Sequence, residues 1–155
     1  NNAAEFFVTP LFSATEEEWD NLFALNLKAP FFLSQALGQN MKYCGEGKII
    51  NIVDVSADRP WKNFLPYCAS KAALISLTKG LARSLSPEVQ VNGIAPGTVL
   101  PPPEHIEMDL NASVENSLLK RIGKAEDIVQ AVEYLLQSDF VTGTILPVDG
   151  GRSIF

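Results

Sequence analysis

Tyr67 and Lys71 stand four residues apart in YCASK, and Asp54 closes the apolar run IINIVD thirteen residues before the tyrosine. On a helix, that four-residue spacing puts phenol and ammonium on one face. A free phenol titrates near 10, too high for ready proton exchange at neutral pH, whereas a neighbouring ammonium favours the phenolate and lowers that value. The pair is then a general acid/base with its own tuning charge. The plainer reading is an exposed helix face that happens to hold a Tyr and a Lys, and spacing alone favours it. Asp54 is open in the same way. It either caps a strand end through backbone N–H groups or shares a site with Tyr67 and Lys71.

The elements that must position these residues can be read from periodicity. Thr15 and Glu18 have the spacing of a capping box ahead of a helix starting near residue 14. Apolar residues then recur at helical spacing through Phe23, Leu27, Phe31 and Leu37, and Pro30 should bend or restart the helix before it fades by Tyr43. Lys48–Val55 is a short β-branched run that reads as a buried strand, and residues 58–66, with two prolines and no period, form a loop. A helix follows from Pro66 to Ser86, then a second buried strand over Val89–Ala95. The proline-rich segment 96–110 reads as a functional loop. Helices over 113–121 and 124–137 and a last strand and turn over 142–151 complete the chain. Strands alternating with helices imply right-handed crossovers and a parallel sheet. Ligands of such sheets bind beyond the carboxyl ends of the strands, where Asp54 and Pro96-Gly97-Thr98 both fall.

The 155 residues amount to one domain's worth of chain, with 46% hydrophobic and 19% charged residues. A net charge of −6 argues against nucleic acid or an anionic membrane surface as the main partner. Cys44 and Cys68 have no framework spacing and read as free thiols of a reducing compartment. No apolar run is long enough to span a bilayer and no leader sequence is visible, so a cytoplasmic location is the default. His105 is the single histidine, which argues against a zinc site. It reads as a solvated loop residue. Trp61 and Phe64 near the cleft read either as stacking partners for a flat ring or as loop anchors. Cys68, next to Tyr67, is expected on the opposite side of the helix and without a role.

Six motifs occur in order: NNAA at 1–4, Asn26 within LNLKAPFF, YCASK at 67–71, VNGIAPG at 91–97, RIGKAEDI at 121–128 and TGTILPVDGG at 142–151. Together, over nearly the whole chain, they resemble the short-chain dehydrogenase/reductase family. The resemblance implies a Rossmann-like, doubly wound α/β fold with a parallel sheet. It implies Tyr67 as proton donor, Lys71 as the residue that holds the nicotinamide ribose and lowers the Tyr67 pKa, and Asn26 as holder of a relay water. Asn2, Ala3, Tyr67, Lys71, Pro96, Gly97, Thr98 and Val99 would bind the cofactor, NADPH, with NADH also open. No metal is implied.

The family usually places a serine thirteen residues before the tyrosine. Here Asp54 occupies that place, as in the pteridine reductase-like subgroup, and Ser56 lies two residues off the count. A carboxyl group there suits reduction of a ring C=N, which needs a proton on nitrogen. The implied activity is NADPH-dependent reduction of a dihydropterin or dihydrofolate with Asp54 assisting. The alternatives are a carbonyl or 3-oxoacyl reductase using Ser56, or a non-catalytic ligand-binding member. The family's glycine-rich phosphate-binding turn has no counterpart among the ten glycines. The resemblance therefore makes residues 1–155 the C-terminal part of a single domain whose first βαβαβ half is absent. That predicts an incomplete sheet, poor stability and no activity for this fragment alone. In the full-length protein it implies a small-molecule substrate and a homotetramer formed through the long helices 14–43 and 66–86 and the last strand, with residues 98–112 covering the substrate.

Overall fold

A computed structural model describes residues 1–99 and 110–154. Three parallel strands, β1 (Gly47–Ile52), β2 (Val89–Pro96) and β3 (Ile145–Val148), lie side by side in that order. Helix α1 (Glu16–Phe23) runs through a five-residue π-helical turn, Ala24–Lys28, into α2 (Ala29–Cys44). Helix α3 (Leu65–Leu85) connects β1 to β2, and α4 (Leu110–Glu115) and α5 (Ala125–Gln137) connect β2 to β3. The fold is the expected α/β arrangement with a parallel sheet.

Helices cover both faces of the sheet, which follows from the alternation of side chains along each strand. Ile49, Val53, Val89, Val91 and Ala95 point to one face and bury Leu74, Leu81 and Ala82 of α3. Ile50, Ile52, Ile94, Leu146 and Val148 point to the other and pack with Ala131 and Leu135 of α5. Burying one such aliphatic side chain contributes roughly 1.5–3 kcal/mol, so these two layers fix the strand ends against which the site is built.

Local chemistry sets the element ends. The Thr15–Glu18 capping box forms at the start of α1, with the Glu18 carboxylate accepting from Thr15 N–H at 2.8 Å and the Thr15 hydroxyl accepting from Glu18 N–H at 3.2 Å. Gly45, at φ 83°, closes α2 in the left-handed conformation that glycine adopts without steric cost. The predicted break at Pro30 falls instead on the π turn just before it. Pro30 sits in the first turn of α2, directly after the π turn.

Two boundaries differ from the sequence reading. The strand expected to reach Val55 stops at Ile52, because the Asp54 side chain caps a helical turn over Val55–Ala57. The helix expected over 113–121 is α4, ending at Glu115. Beyond it, Ser117 Oγ and Leu119 N–H both donate to Gly150 C=O, at 3.1 Å each, and Lys120 has a positive φ of 51°. The chain there is pinned to the last turn and cannot continue as helix. Of the strand and turn expected over 142–151, the strand is Ile145–Val148, with its approach fixed by Asn92, which accepts from Thr144 N–H and donates to Val141 C=O. Among the described residues, no helix is long and apolar enough to cross a membrane.

Candidate active site

The carboxyl ends of β1 and β2 open into a cleft of about 440 Å³. Asp54 reaches it just past β1. Tyr67 and Lys71 reach it from the first two turns of α3, and Pro96, Gly97, Thr98 and Val99 line it from the end of β2. The N-terminal segment supplies the remaining wall. Asn1 pairs with β1 in ladder fashion, donating to Ile50 C=O at 2.8 Å and accepting from Ile52 N–H at 2.9 Å. With this edge fixed, alternate residues share a side, and Asn2 and Ala4 face the cleft while Ala3 does not. Ala3 is expected to line the cofactor cleft, but Ala4 rather than Ala3 lines it.

Asp54 does both things its sequence position left open. One carboxylate oxygen accepts from Ser56 N–H at 2.7 Å and caps the Val55–Ala57 turn. The other accepts from the Tyr67 hydroxyl at 2.8 Å. Cap and site residue are therefore the same side chain, and the cap holds the free oxygen in place for the phenol. Phe6 fixes the phenol ring from the side, edge-on at 4.8 Å between centroids, and is itself stacked on Phe64 at 4.6 Å. Phe64 is accordingly a loop anchor. Trp61 packs edge-on against Phe6 and lines the cleft.

Lys71 is 3% exposed, its ammonium donating to Ile52 C=O at 3.0 Å and lying 5.8 Å from the centre of the Tyr67 ring. Burial pushes the Lys71 pKa down, an effect opposed by the Asp54 charge. The Tyr67 pKa is shifted upward, and Lys71, expected to lower it, is not among the causes of that shift. Burial of the phenol is the largest cause, followed by the Asp54 charge and the hydrogen bond to Asp54, all of which favour the protonated form. In this arrangement Tyr67 is a held, neutral hydroxyl.

Asn26 lies in the π turn, a frequent way of re-aiming a functional side chain. Its carbonyl accepts from Glu5 N–H at 2.9 Å, and its amide donates to Glu5 C=O at 3.0 Å and to Ser70 Oγ at 3.2 Å. These bonds use both amide hydrogens, and the side chain does not line the cleft. Asn26 fixes the backbone behind Ala4 and Phe6. Cys68 is also placed differently from the expectation. One residue along a helix is a rotation of only about 100°, and Cys68 is buried in the same cluster as Tyr67, where its sulfur accepts from Trp61 N–H at 3.4 Å. Ser56 Oγ is fully buried and, among the described residues, has no hydrogen-bond partner. It is not part of the cleft wall. His105 and most of the loop 98–112 lie outside the described residues.

The sequence reading missed the polar support beneath the site. Asn51, buried within β1, donates to Thr78 Oγ1 at 2.9 Å and accepts from the Asn1 side chain at 2.7 Å. A mid-strand asparagine breaking an apolar run was the available signal. At the end of β2, a Cβ on Gly97 would lie 2.7 Å from Asp149 Cα, so only glycine lets the cleft wall pass this close to the last turn.

A family model described as enoyl-(acyl carrier protein) reductase matches residues 1–153. The chain belongs to the short-chain dehydrogenase/reductase family. It is 36% identical over 132 residues to dihydromonapterin reductase of Enterobacter sp. (strain 638), an alignment covering 84% of this chain and 55% of that protein. The crystal structure of a gluconate 5-dehydrogenase from Burkholderia cenocepacia J2315 in complex with NADP and tartrate superposes with a TM-score of 0.93 at 31% identity, covering 99% of this chain and 63% of that one. FolM alternative dihydrofolate reductase 1 from Brucella suis in complex with NADP gives a TM-score of 0.91 at 29% identity, covering 99% and 62%. This short-chain dehydrogenase/reductase chain thus spans a little over half the length of the curated relative it matches.

Proposed function

We propose that this chain is the catalytic portion, residues 1–155, of an NADPH-dependent reductase acting on the C=N bond of a dihydropterin or dihydrofolate. The observation that carries the reading is the Tyr67–Asp54 hydrogen bond of 2.8 Å inside the cleft at the strand ends. Similarity to dihydromonapterin reductase and to FolM alternative dihydrofolate reductase 1 supports the substrate class, and the NADP in two of the superposed structures supports the cofactor.

The cleft fits a nicotinamide nucleoside. The Lys71 ammonium has three donors and spends one on Ile52 C=O, which leaves donors for ribose hydroxyls. Asn2, Ala4 and Pro96 to Val99 would form the surrounding wall, with Gly97 allowing close backbone approach. A reduced nicotinamide bound there supplies hydride.

The protein's own part is the proton. Tyr67 holds a proton at its hydroxyl, and Asp54 orients that hydroxyl. A substrate N–H that takes over the Asp54 oxygen frees the phenol to donate to the ring nitrogen. It also removes the Asp54 hydrogen bond, one of the causes that hold the Tyr67 pKa up. Lys71 then offsets the negative charge developing on the phenolate. Asn26 acts as a positioning residue through Glu5. In the full-length protein, homotetramer formation would cover the apolar face of α2, where Phe31, Phe32, Leu33 and Leu37 are exposed.

A second reading, a carbonyl reductase using Ser56, is favoured by the similarity to gluconate 5-dehydrogenase. The full-length protein should be assayed with NADPH and dihydrobiopterin, dihydrofolate or an acetoacetyl thioester. The C=N reading expects turnover of a pterin and a large loss in Asp54→Ala. Turnover of the thioester alone, lost in Ser56→Ala and kept in Asp54→Ala, would replace it with the second reading.

A further inference from the structure

Trp61 stands half-buried in an exposed stretch of loop. Residues 58–60, 62 and 63 around it are all exposed, so the indole is held by contacts of its own rather than by the chain on either side. Phe6 and Phe64 each meet it edge-on, with ring centroids 5.9 Å away, and its backbone N–H donates to Cys68 Sγ at 3.4 Å. A further contact comes from the far end of the sequence. The Arg152 guanidinium lies 5.6 Å from the centre of the indole, within the roughly 6 Å over which a cation is attracted to an aromatic ring. The same guanidinium donates to Thr98 Oγ1. One side chain therefore joins two walls of the reaction cleft, the indole of loop 58–64 and the hydroxyl at the end of β2.

Arg152 is itself fixed at its root. The Asp149 carboxylate accepts from Gly151 N–H at 2.9 Å and from Ser153 N–H at 2.7 Å, so it clasps the residues on either side of Arg152. The Arg152 N–H donates to Asp149 C=O at 3.2 Å. Asp149 in turn abuts Gly97, which seats the last turn against the end of β2. From that seat the guanidinium reaches across to loop 58–64. Its planar shape suits the task, since it can lie against a ring and still direct an N–H in its own plane at a hydroxyl. The Tyr67 hydroxyl is held by Asp54 instead. The proton and the indole thus take their positions from different polar side chains.

We propose that Arg152 is a positioning residue for the substrate: it clamps the Trp61 indole and the Thr98 hydroxyl at a fixed separation, and Trp61 is the surface against which the substrate ring rests. The inference rests on the reading of the Tyr67 cleft as a reductase site and adds the residues that select a flat ring there. Trp61 lines the cleft from the loop that follows Asp54 and Thr98 lines it from the end of β2, so their separation sets the width open to that ring. An indole offers a broad, rigid apolar surface for such a contact. Loss of the clamp loosens the fit and leaves the proton-donating pair in place, which appears in KM before kcat.

The test is steady-state kinetics of the full-length protein with NADPH and dihydrobiopterin. Arg152→Gln should raise KM about five- to tenfold, the usual worth of a cation–ring contact and a hydrogen bond lost together, and should change kcat by less than about twofold. Arg152→Lys, which keeps a cation for the indole and a donor for Thr98, should recover most of the loss. In a Trp61→Leu background the Arg152→Gln change should add little, because a residue acting through the indole has nothing left to hold. An unchanged KM in Arg152→Gln, a fall in kcat as large as the rise in KM, or losses that multiply in the double variant overturn the clamp. If the wild-type protein does not reduce the pterin, the proposed reaction fails and the clamp is judged on the indole itself. Acrylamide quenching of Trp61 fluorescence, taken as the difference from the matching Trp61→Phe protein, should rise in Arg152→Gln and return towards wild type in Arg152→Lys. Quenching indifferent to Arg152→Gln overturns the clamp.

Discussion

The two halves of α3 bury opposite kinds of side chain. The first turns bury Tyr67, Ser70 and Lys71 beside the strand ends, and the later turns bury Leu74, Thr78, Leu81 and Ala82 against the body of the sheet. Both halves are about equally excluded from water. The later half gains stability from the transfer of apolar surface. The first half holds an ammonium whose pKa burial pushes down and a phenol whose pKa burial pushes up, both signs that a charged form is disfavoured there. One helix thus carries a region that holds the fold and a region that strains against it, and the strained region is where the proposed chemistry is placed.

Substitutions in each half should separate the two demands. In the first half, Tyr67→Phe should lower kcat of the full-length protein by roughly 10²–10⁴, the usual worth of a general acid, while its melting temperature moves little. Loss of stability comparable to the loss of rate would break the contrast. In the second half, Leu74→Ala should reduce unfolding free energy by about 2–5 kcal/mol, as for other buried leucines, with kcat largely kept under conditions where the protein stays folded. Denaturant unfolding and steady-state rates on the same preparations read both.

Lys71→Met should have a smaller effect of opposite sign on stability. Replacing an ammonium that burial disfavours with an apolar chain of similar length should raise the melting temperature while the rate falls. A lowered melting temperature would show that the Ile52 hydrogen bond outweighs the burial cost. The smallest effect is a pH slope. Tyr67 keeps its proton in the folded state above the ordinary phenol value of 10.0, where the unfolded chain loses it. Below pH 10 the two states bind the same proton and the phenol adds no slope. As pH rises above 10 the native state binds more protons than the unfolded one, so stability should fall. Unfolding midpoints measured from pH 8 to 11 should decline more steeply in the parent than in Tyr67→Phe, and parallel curves would contradict the upward shift.

Much of this contrast was legible in the sequence, for identifiable reasons. The α3 register, the strands and the cleft position follow from period and apolar runs, which local sequence records directly. Asp54 was flagged by its distance from Tyr67. What escaped depends on contacts between distant segments. The direction of the Tyr67 shift is set by burial under Phe6 and by the reach of Asp54, neither visible in a Tyr–x–x–x–Lys spacing. Asn26 is expected to hold a relay water, and its side chain is instead spent on Glu5 and Ser70. One partner, the backbone of Glu5, is twenty-one residues away and could not be read from the local sequence. The end of α4 was misplaced because Gly150, not a local stop signal, pins the chain after Glu115.

The central claim is that Asp54 and Tyr67 act as one proton-delivering pair. A double-mutant cycle on kcat of the full-length protein with NADPH and a dihydropterin, using Asp54→Asn, Tyr67→Phe and both together, tests it most directly. If the two side chains work through the bond between them, the double variant should be little slower than the Tyr67→Phe variant, because residues acting as a unit are not additive. Losses that simply multiply would mean that Asp54 acts independently of Tyr67 and would contradict the account.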